Sequence, residues 1–277
     1  MPPHIDAHHH LWTYKAEEFP WISEEMPALR RDFLPADLTT AAGSSGIEGT
    51  VVVQARQTLA ETGWLLQLAE QEAMIRGVVG WVPLADARVE AKLEQLAQNR
   101  WLKGVRHILH DEPDDNYVLR ADFNDGVSLL ERWNLRYDIL ILERHLPQAI
   151  AFIDLHPRQR FILDHIAKPR IREKVMEPWK QNILELAHRE NVYCKLSGMV
   201  TEADWTAWTP SDLAPYFDVV LEAFGPHRLM FGSDWPVLNL ASSYERWHKT
   251  VAQWLGGLTV DEQARILGAT AVEAYCL

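Results

Sequence analysis

Short apolar runs rich in β-branched residues recur along the chain, each followed by a polar stretch. Eight of them predict strands: Ile5–Leu11, Thr50–Ala55, Ile75–Leu84, Gly104–Leu109, Arg136–Ile141, Phe161–Ile166, Val192–Ser197 and Leu229–Ser233. Several are continuous instead of alternating, as in strands covered on both faces. Between them, apolar residues return at helical spacing: Trp64, Leu65, Leu68 and Ala69; Val89, Leu93, Leu96 and Ala97; Trp179, Ile183, Leu186 and Ala187; Phe217, Val220, Leu221 and Phe224. Tyr244, Trp247, Val251 and Trp254 follow the last strand, and Thr-Val-Asp-Glu from Thr259 has the form of a capping box opening a final helix.

Strand then helix, eight times over, predicts an α/β fold: a parallel sheet closed into a single-domain (β/α)8 TIM barrel over residues 1–277. An open doubly wound sheet uses the same units but usually fewer strands, and no GxGxxG or Walker A segment supports it. No Pro/Gly/Ser stretch is long enough to divide two domains; Ala41–Gly49 reads as a loop before the second strand.

The net charge of −12 disfavours nucleic acid and anionic membranes as partners. No apolar run approaches the roughly 20 residues that span a bilayer. Cys194 and Cys276 make neither a disulfide framework nor a metal-binding spacing. Met1–Leu11 lacks a signal peptide's positive start, and the expected location is cytoplasmic. Twelve tryptophans leave apolar surface enough for a homodimer.

The chemistry gathers at strand ends. In Ile5-Asp6-Ala7-His8-His9-His10-Leu11-Trp12, strand alternation points His8 and His10 the same way and His9 toward the helices. Such a pair can chelate one metal ion or polarise a carbonyl by hydrogen bonding. His165 ends the sixth run before Lys168-Pro169, while Asp164 would face the other way as a brace or cap. Asp234 ends the eighth, placed to activate water as a general base or to ligate a metal. Arg106, ending the fourth, is a candidate clamp for a planar anion, or else an ion-pair partner. Gln54, Lys195 and Ser197 stand near other strand ends as candidate substrate contacts. Trp12, Tyr14, Phe19 and Trp21 crowd the long segment after the first strand, which either folds over the barrel mouth or is merely pinned by its rings.

With these segments, Lys-Gly-Val-Arg-His, Leu-Asp-His-Ile-Ala-Lys-Pro, Tyr-Cys-Lys-Leu-Ser-Gly and Met-Phe-Gly-Ser-Asp-Trp-Pro in order, the chain resembles the amidohydrolase superfamily over its whole length. The resemblance is to the amidohydrolase-2, sugar-lactonase-like branch. It implies a (β/α)8 barrel that opens small lactones, of fuconolactone, rhamnonolactone, sulfomuconolactone or pyrone dicarboxylate type. It carries metal-ligand or carbonyl-polarising roles onto His8, His10, His165 and Asp234. Arg106-His107 stands at the fourth strand and Arg136–Leu142 contains no histidine, so the bridging residue and fifth-strand histidine of two-metal members are missing. One divalent ion, zinc by preference, or none is therefore expected.

The expected reaction is lactone hydrolysis. Asp234 takes the proton of the attacking water, and His165 with the other imidazoles stabilises the oxyanion. Arg106, Gln54, Trp12 and Lys195 bind substrate. A metal-dependent nonoxidative decarboxylase is the first alternative, and a non-catalytic barrel binding a sugar acid or a protein the second.

Overall fold

The eight apolar runs become eight parallel strands paired in chain order. They are β1 (Ile5–His9), β2 (Gly49–Val53), β3 (Ile75–Gly80), β4 (Leu102–Ile108), β5 (Arg136–Leu140), β6 (Phe161–Leu163), β7 (Val192–Leu196) and β8 (Leu229–Phe231). The ring closes just past the strand ends. A parallel bridge joins His9 to Trp235, the Asp234 amide donates to the His8 carbonyl at 2.8 Å, and the His10 amide donates to the Trp235 carbonyl at 2.7 Å. The expected barrel is the observed one. The structure, a computed structural model, describes residues 2–43 and 45–277; Met1 and Ser44, which belong to the expected N-terminal segment and second-strand loop, lie outside the described residues.

The periodic stretches form Leu59–Gln71, Val89–Leu96, Trp179–Leu186, Pro210–Phe224 and Tyr244–Leu255. The capping box at Thr259 is made: the Glu262 amide donates to Thr259 Oγ1 and the Thr259 amide to Glu262 Oε2. Three helices escape the apolar periodicity: Pro35–Ala42, Ala121–Ser128 and Leu146–Leu155. Two of these carry a proline in the first turn, where a backbone N–H has no helical partner to lose.

Two cores result. Outward-facing strand residues such as Val52, Val78, Val105, Ile139 and Leu163 pack under the helices. Inside the barrel, Ile5, Ala7, Val51, Val53, Val79, Ile162 and Met230 form a smaller cluster. Ala271, Ala274 and Tyr275, from the helix Thr270–Tyr275, join that cluster. Arg136, the first residue of β5, donates to the Ala274 carbonyl, so this helix stops the end of the barrel where the strands begin. No helix among the described residues is long and apolar enough to cross a membrane.

Candidate active site

A bulge in β1 sets the phase of the first cluster. The register against β2 shifts between Asp6 and His9. Ile5 and Ala7 therefore face the aliphatic interior, and the extra residue turns His8 and His10 inward one layer higher. His8 Nε2 lies 3.3 Å from His10 Nε2. His9 turns away and meets Thr50 Oγ1 at 3.0 Å. His10 Nδ1 stands 2.8 Å from the Val53 carbonyl. A carbonyl only accepts, so Nδ1 carries the proton, and Nε2 of the neutral ring presents a lone pair to the cluster.

Asp234 follows β8 in a left-handed conformation, φ 58°. Asp6 braces this corner by accepting from the Ser233 amide at 2.8 Å, the His8 amide at 3.1 Å and the Tyr244 hydroxyl at 2.9 Å. Burial lifts the Asp6 carboxyl to about 6. Asp234 Oδ1 lies 3.4 Å from His10 Nε2, 3.8 Å from His8 Nε2 and 3.9 Å from His165 Nε2. The four residues expected to converge do so. Burial alone would raise the Asp234 carboxyl, but His165, His10 and Lys168 outweigh it and hold it below the usual range. Burial pushes His165 down to about 4 and His8 well below its ordinary value, which leaves both imidazoles neutral at pH 7.

The sixth strand corrects the alternation argument. It ends at Leu163, three residues earlier than expected, and His165, Ile166, Ala167 and Lys168 all have φ between 49° and 62°. A left-handed turn of non-glycine residues costs about 1–2 kcal/mol for each of them. Its supports are the Trp179 indole donating to the Ile166 carbonyl at 2.8 Å and the Lys168–Glu202 ion pair at 2.6 Å. Ser197 Oγ meets His165 Nδ1 at 2.8 Å. Gly198 leaves room for the ring, since a Cβ there would lie 2.6 Å from His165 Cγ. Because strand geometry has already ended, Asp164 does not face away from the site. It is fully buried beneath His8, with Oδ2 2.9 Å from Arg106 Nη1 and Oδ1 2.9 Å from Lys195 Nζ.

Arg106 reaches the pocket wall, but it is held by Asp164 and by the Gln54 carbonyl at 2.5 Å. Four expected substrate contacts do not reach the pocket lining, the first being Ser197, which is fully buried with its hydroxyl turned to His165 Nδ1. Gln54 is fully buried and its amide donates to the Arg106 carbonyl at 3.3 Å. Lys195 is fully buried below His8. Trp12 is 1% exposed and pairs with Phe33 across the neck of the long loop, backbone to backbone at 3.0 and 2.9 Å. Trp21, from the tip side of that loop, lines the pocket instead.

The pocket floor carries His10, His165 and Asp234, and its walls include Ile108, Leu140, Val237, His110, Asp111 and Lys168. The last three are polar residues that the sequence reading missed. Lys168 lies in the Leu-Asp-His-Ile-Ala-Lys-Pro segment, yet nothing in the sequence pairs it with Glu202. Burial pushes His110 down to about 3, so it meets the pocket as a neutral ring.

Among the described residues, two donor sets lie close enough to hold a metal ion: His8, His10 and Asp234, and His8, Asp164 and His165. Ligands bound to a tetrahedral zinc stand about 3.3–3.4 Å apart. The separations of 3.3, 3.4 and 3.8 Å in the first set approach that spacing, and the His10 tautomer suits it. The second set does not fit, because Asp164 is already matched by Arg106 and Lys195, two cations standing where a second ion would need to be.

A family model described as Amidohydrolase matches residues 5–277. The chain is 41% identical to an L-fucono-1,5-lactonase of Burkholderia multivorans, over 99% of this chain and 96% of that protein. It is 36% identical to an L-fucono-1,5-lactonase of Burkholderia ambifaria, over 98% and 94%. A crystal structure of an amidohydrolase from Burkholderia multivorans with bound zinc superposes with a TM-score of 0.94 at 41% identity, covering 99% of each chain.

Proposed function

The chain belongs to the amidohydrolase family, and from that premise we propose that it hydrolyses a neutral, polyhydroxylated sugar lactone of the L-fucono-1,5-lactone kind. The observation that carries the reading is the charge pairing of the pocket. Its two permanent cations are both matched, Arg106 by Asp164 and Lys168 by Glu202. A carboxylated lactone would compete with Asp164 or Glu202 for one of these cations, and breaking the buried Arg106–Asp164 pair costs about 3–5 kcal/mol. A neutral lactone needs only hydrogen bonds, which His110, Asp111 and Lys168 can exchange with ring hydroxyls. The decarboxylase alternative needs a carboxylate substrate and meets the same obstacle.

Asp234, ionised at neutral pH, takes a proton from water as the water oxygen adds to the lactone carbonyl carbon. The carbonyl electron pair moves onto its oxygen and then returns as the ring C–O bond breaks. Asp234 passes the proton to the departing alkoxide, and the product is the open hydroxy acid. The positive ends of Arg106 and Lys168 face the site where negative charge develops. Ser197 keeps His165 Nε2 turned to the same point. His8, His10 and Asp234, with His165 adjoining, are the residues that would hold one zinc ion, which when bound supplies Lewis-acid polarisation of the carbonyl.

The test is a panel of neutral aldonolactones set against carboxylated pyrone and muconate lactones, followed by acid release. Neutral lactones should be preferred by about 100-fold or more in kcat/KM, the factor that about 3 kcal/mol represents. Equal or inverted preference would overturn the reading.

A further inference from the structure

Below the site lies a buried chain of polar groups that the reaction itself does not use. Lys195 has no exposed surface, and its ammonium faces three partners: Asp138 Oδ2 at 2.6 Å, Asp164 Oδ1 at 2.9 Å and His8 Nδ1 at 3.1 Å. Asp138 is equally buried, and the Tyr275 hydroxyl donates to its Oδ2 at 2.6 Å. Tyr275 is 1% exposed, and its ring lies 5.4 Å from the Lys195 ammonium. A line of contacts thus runs from the helix that stops the lower end of the barrel, through Asp138 and Lys195, to the back of His8.

We propose that Tyr275 and Asp138 are positioning residues for the reaction, holding Lys195 so that it fixes the orientation of His8 beneath the pocket floor; this rests on the lactone-hydrolase reading. Asp138 Oδ1 has no partner, so Lys195 and Tyr275 alone set the rotation of that carboxylate. Without the phenol, the carboxylate can turn about its last bond and the ammonium follows it. His8 then loses one of the two groups that face its Nδ1, the other being Asp164 Oδ1 at 3.3 Å. The aliphatic interior would hold the barrel together without this line, since Val51, Val53, Val79, Ile162 and Met230 pack there regardless. A purely structural role does not require the hydroxyl to meet the partner of the lysine behind His8.

The experiment uses Tyr275→Phe, which removes one oxygen and leaves the ring, with Asp138→Asn as an independent second variant. Turnover of the best lactone should fall about tenfold in kcat with KM within about twofold, the pattern of an interaction felt in the transition state and not in ground-state binding. In protein labelled with 15N-histidine, the His8 ring signals, assigned by their loss in His8→Gln, should move in both variants, while those of the distant His156 stay in place. Wild-type kcat with unmoved His8 signals in a folded variant would overturn the proposal. So would a loss of activity that only tracks the folded fraction with His8 unmoved. The spectroscopic arm needs no substrate: if the wild type opened no lactone, the functional reading would fail while the positioning of His8 was still decided.

Discussion

The Asp234 amide donates to the His8 carbonyl at 2.8 Å, so the two ends of the sheet are joined by the residues that also face each other across the site. Barrel closure and site assembly are one structural event. Asp6 reinforces it by accepting from the amides of both Ser233 and His8. A variant that keeps the Asp234 backbone and changes only its carboxylate therefore tests the chemistry separately from the fold.

Asp234→Asn is that variant. It keeps the shape and the backbone bond but offers no anionic oxygen to accept a proton. Lactone kcat should fall by about 10²–10⁴, the usual contribution of a positioned base, with an unchanged circular dichroism spectrum. Undiminished turnover would remove Asp234 from the role of base.

Trp21 and Trp12 separate binding from stability within one loop. Trp21 lines the pocket, and Trp21→Ala should raise KM by about tenfold with a smaller change in kcat. Trp12 instead packs against Phe19, Trp21 and Phe33, with its indole donating to the Arg31 carbonyl at 2.9 Å. Trp12→Ala should destabilise the protein by about 3–5 kcal/mol, read as a lower denaturant midpoint. If Trp12→Ala changed KM alone, the assignment of the two rings would be reversed.

Metal stoichiometry follows from the pairing of Asp164. Arg106 and Lys195 already answer its charge, so only the His8, His10 and Asp234 set remains for a divalent ion. Protein equilibrated with zinc and freed of excess should carry about one equivalent per chain by elemental analysis, and His10→Ala should lose it. Two equivalents in the wild type would contradict this account of the Asp164 cations.

The strand ends explain which parts of the site were legible beforehand. His8 and His10 are two apart and turn to the same side, so alternation related them correctly even though the bulge between Asp6 and His9 left no sign in the sequence. Asp234 was legible because an apolar run stops at it. Asp164 was misread because alternation was carried past Leu163 into a turn whose handedness no propensity predicts. The choice of Trp21 over Trp12 depends on a bridge between Trp12 and Phe33, and the matching of the Lys168 charge depends on Glu202; both are contacts between residues with no periodic relation. The barrel was readable from local pattern, whereas the pairing of charges inside it is a property of the closed ring.

One buried carboxyl outside the site gives a prediction about pH. Glu61 is 1% exposed, and its Oε2 accepts from the amides of Ala55 at 3.1 Å and Arg56 at 2.8 Å. Burial pushes its carboxyl from 4.5 up to about 7. The folded state then binds this proton more tightly than the unfolded state. Below pH 4.5 both states are protonated and Glu61 carries no penalty. As pH rises toward 7 the unfolded chain gives up the proton first, so stability declines, and above that both are ionised and the loss is complete. Glu61→Gln cannot titrate, yet its amide oxygen can still accept from both backbone N–H groups. The stability of the variant relative to the wild type should therefore rise by up to about 3 kcal/mol as pH goes from acidic to slightly alkaline, measured by urea unfolding at each pH. A difference that stays flat with pH would mean that Glu61 ionises as readily in the fold as in the unfolded chain.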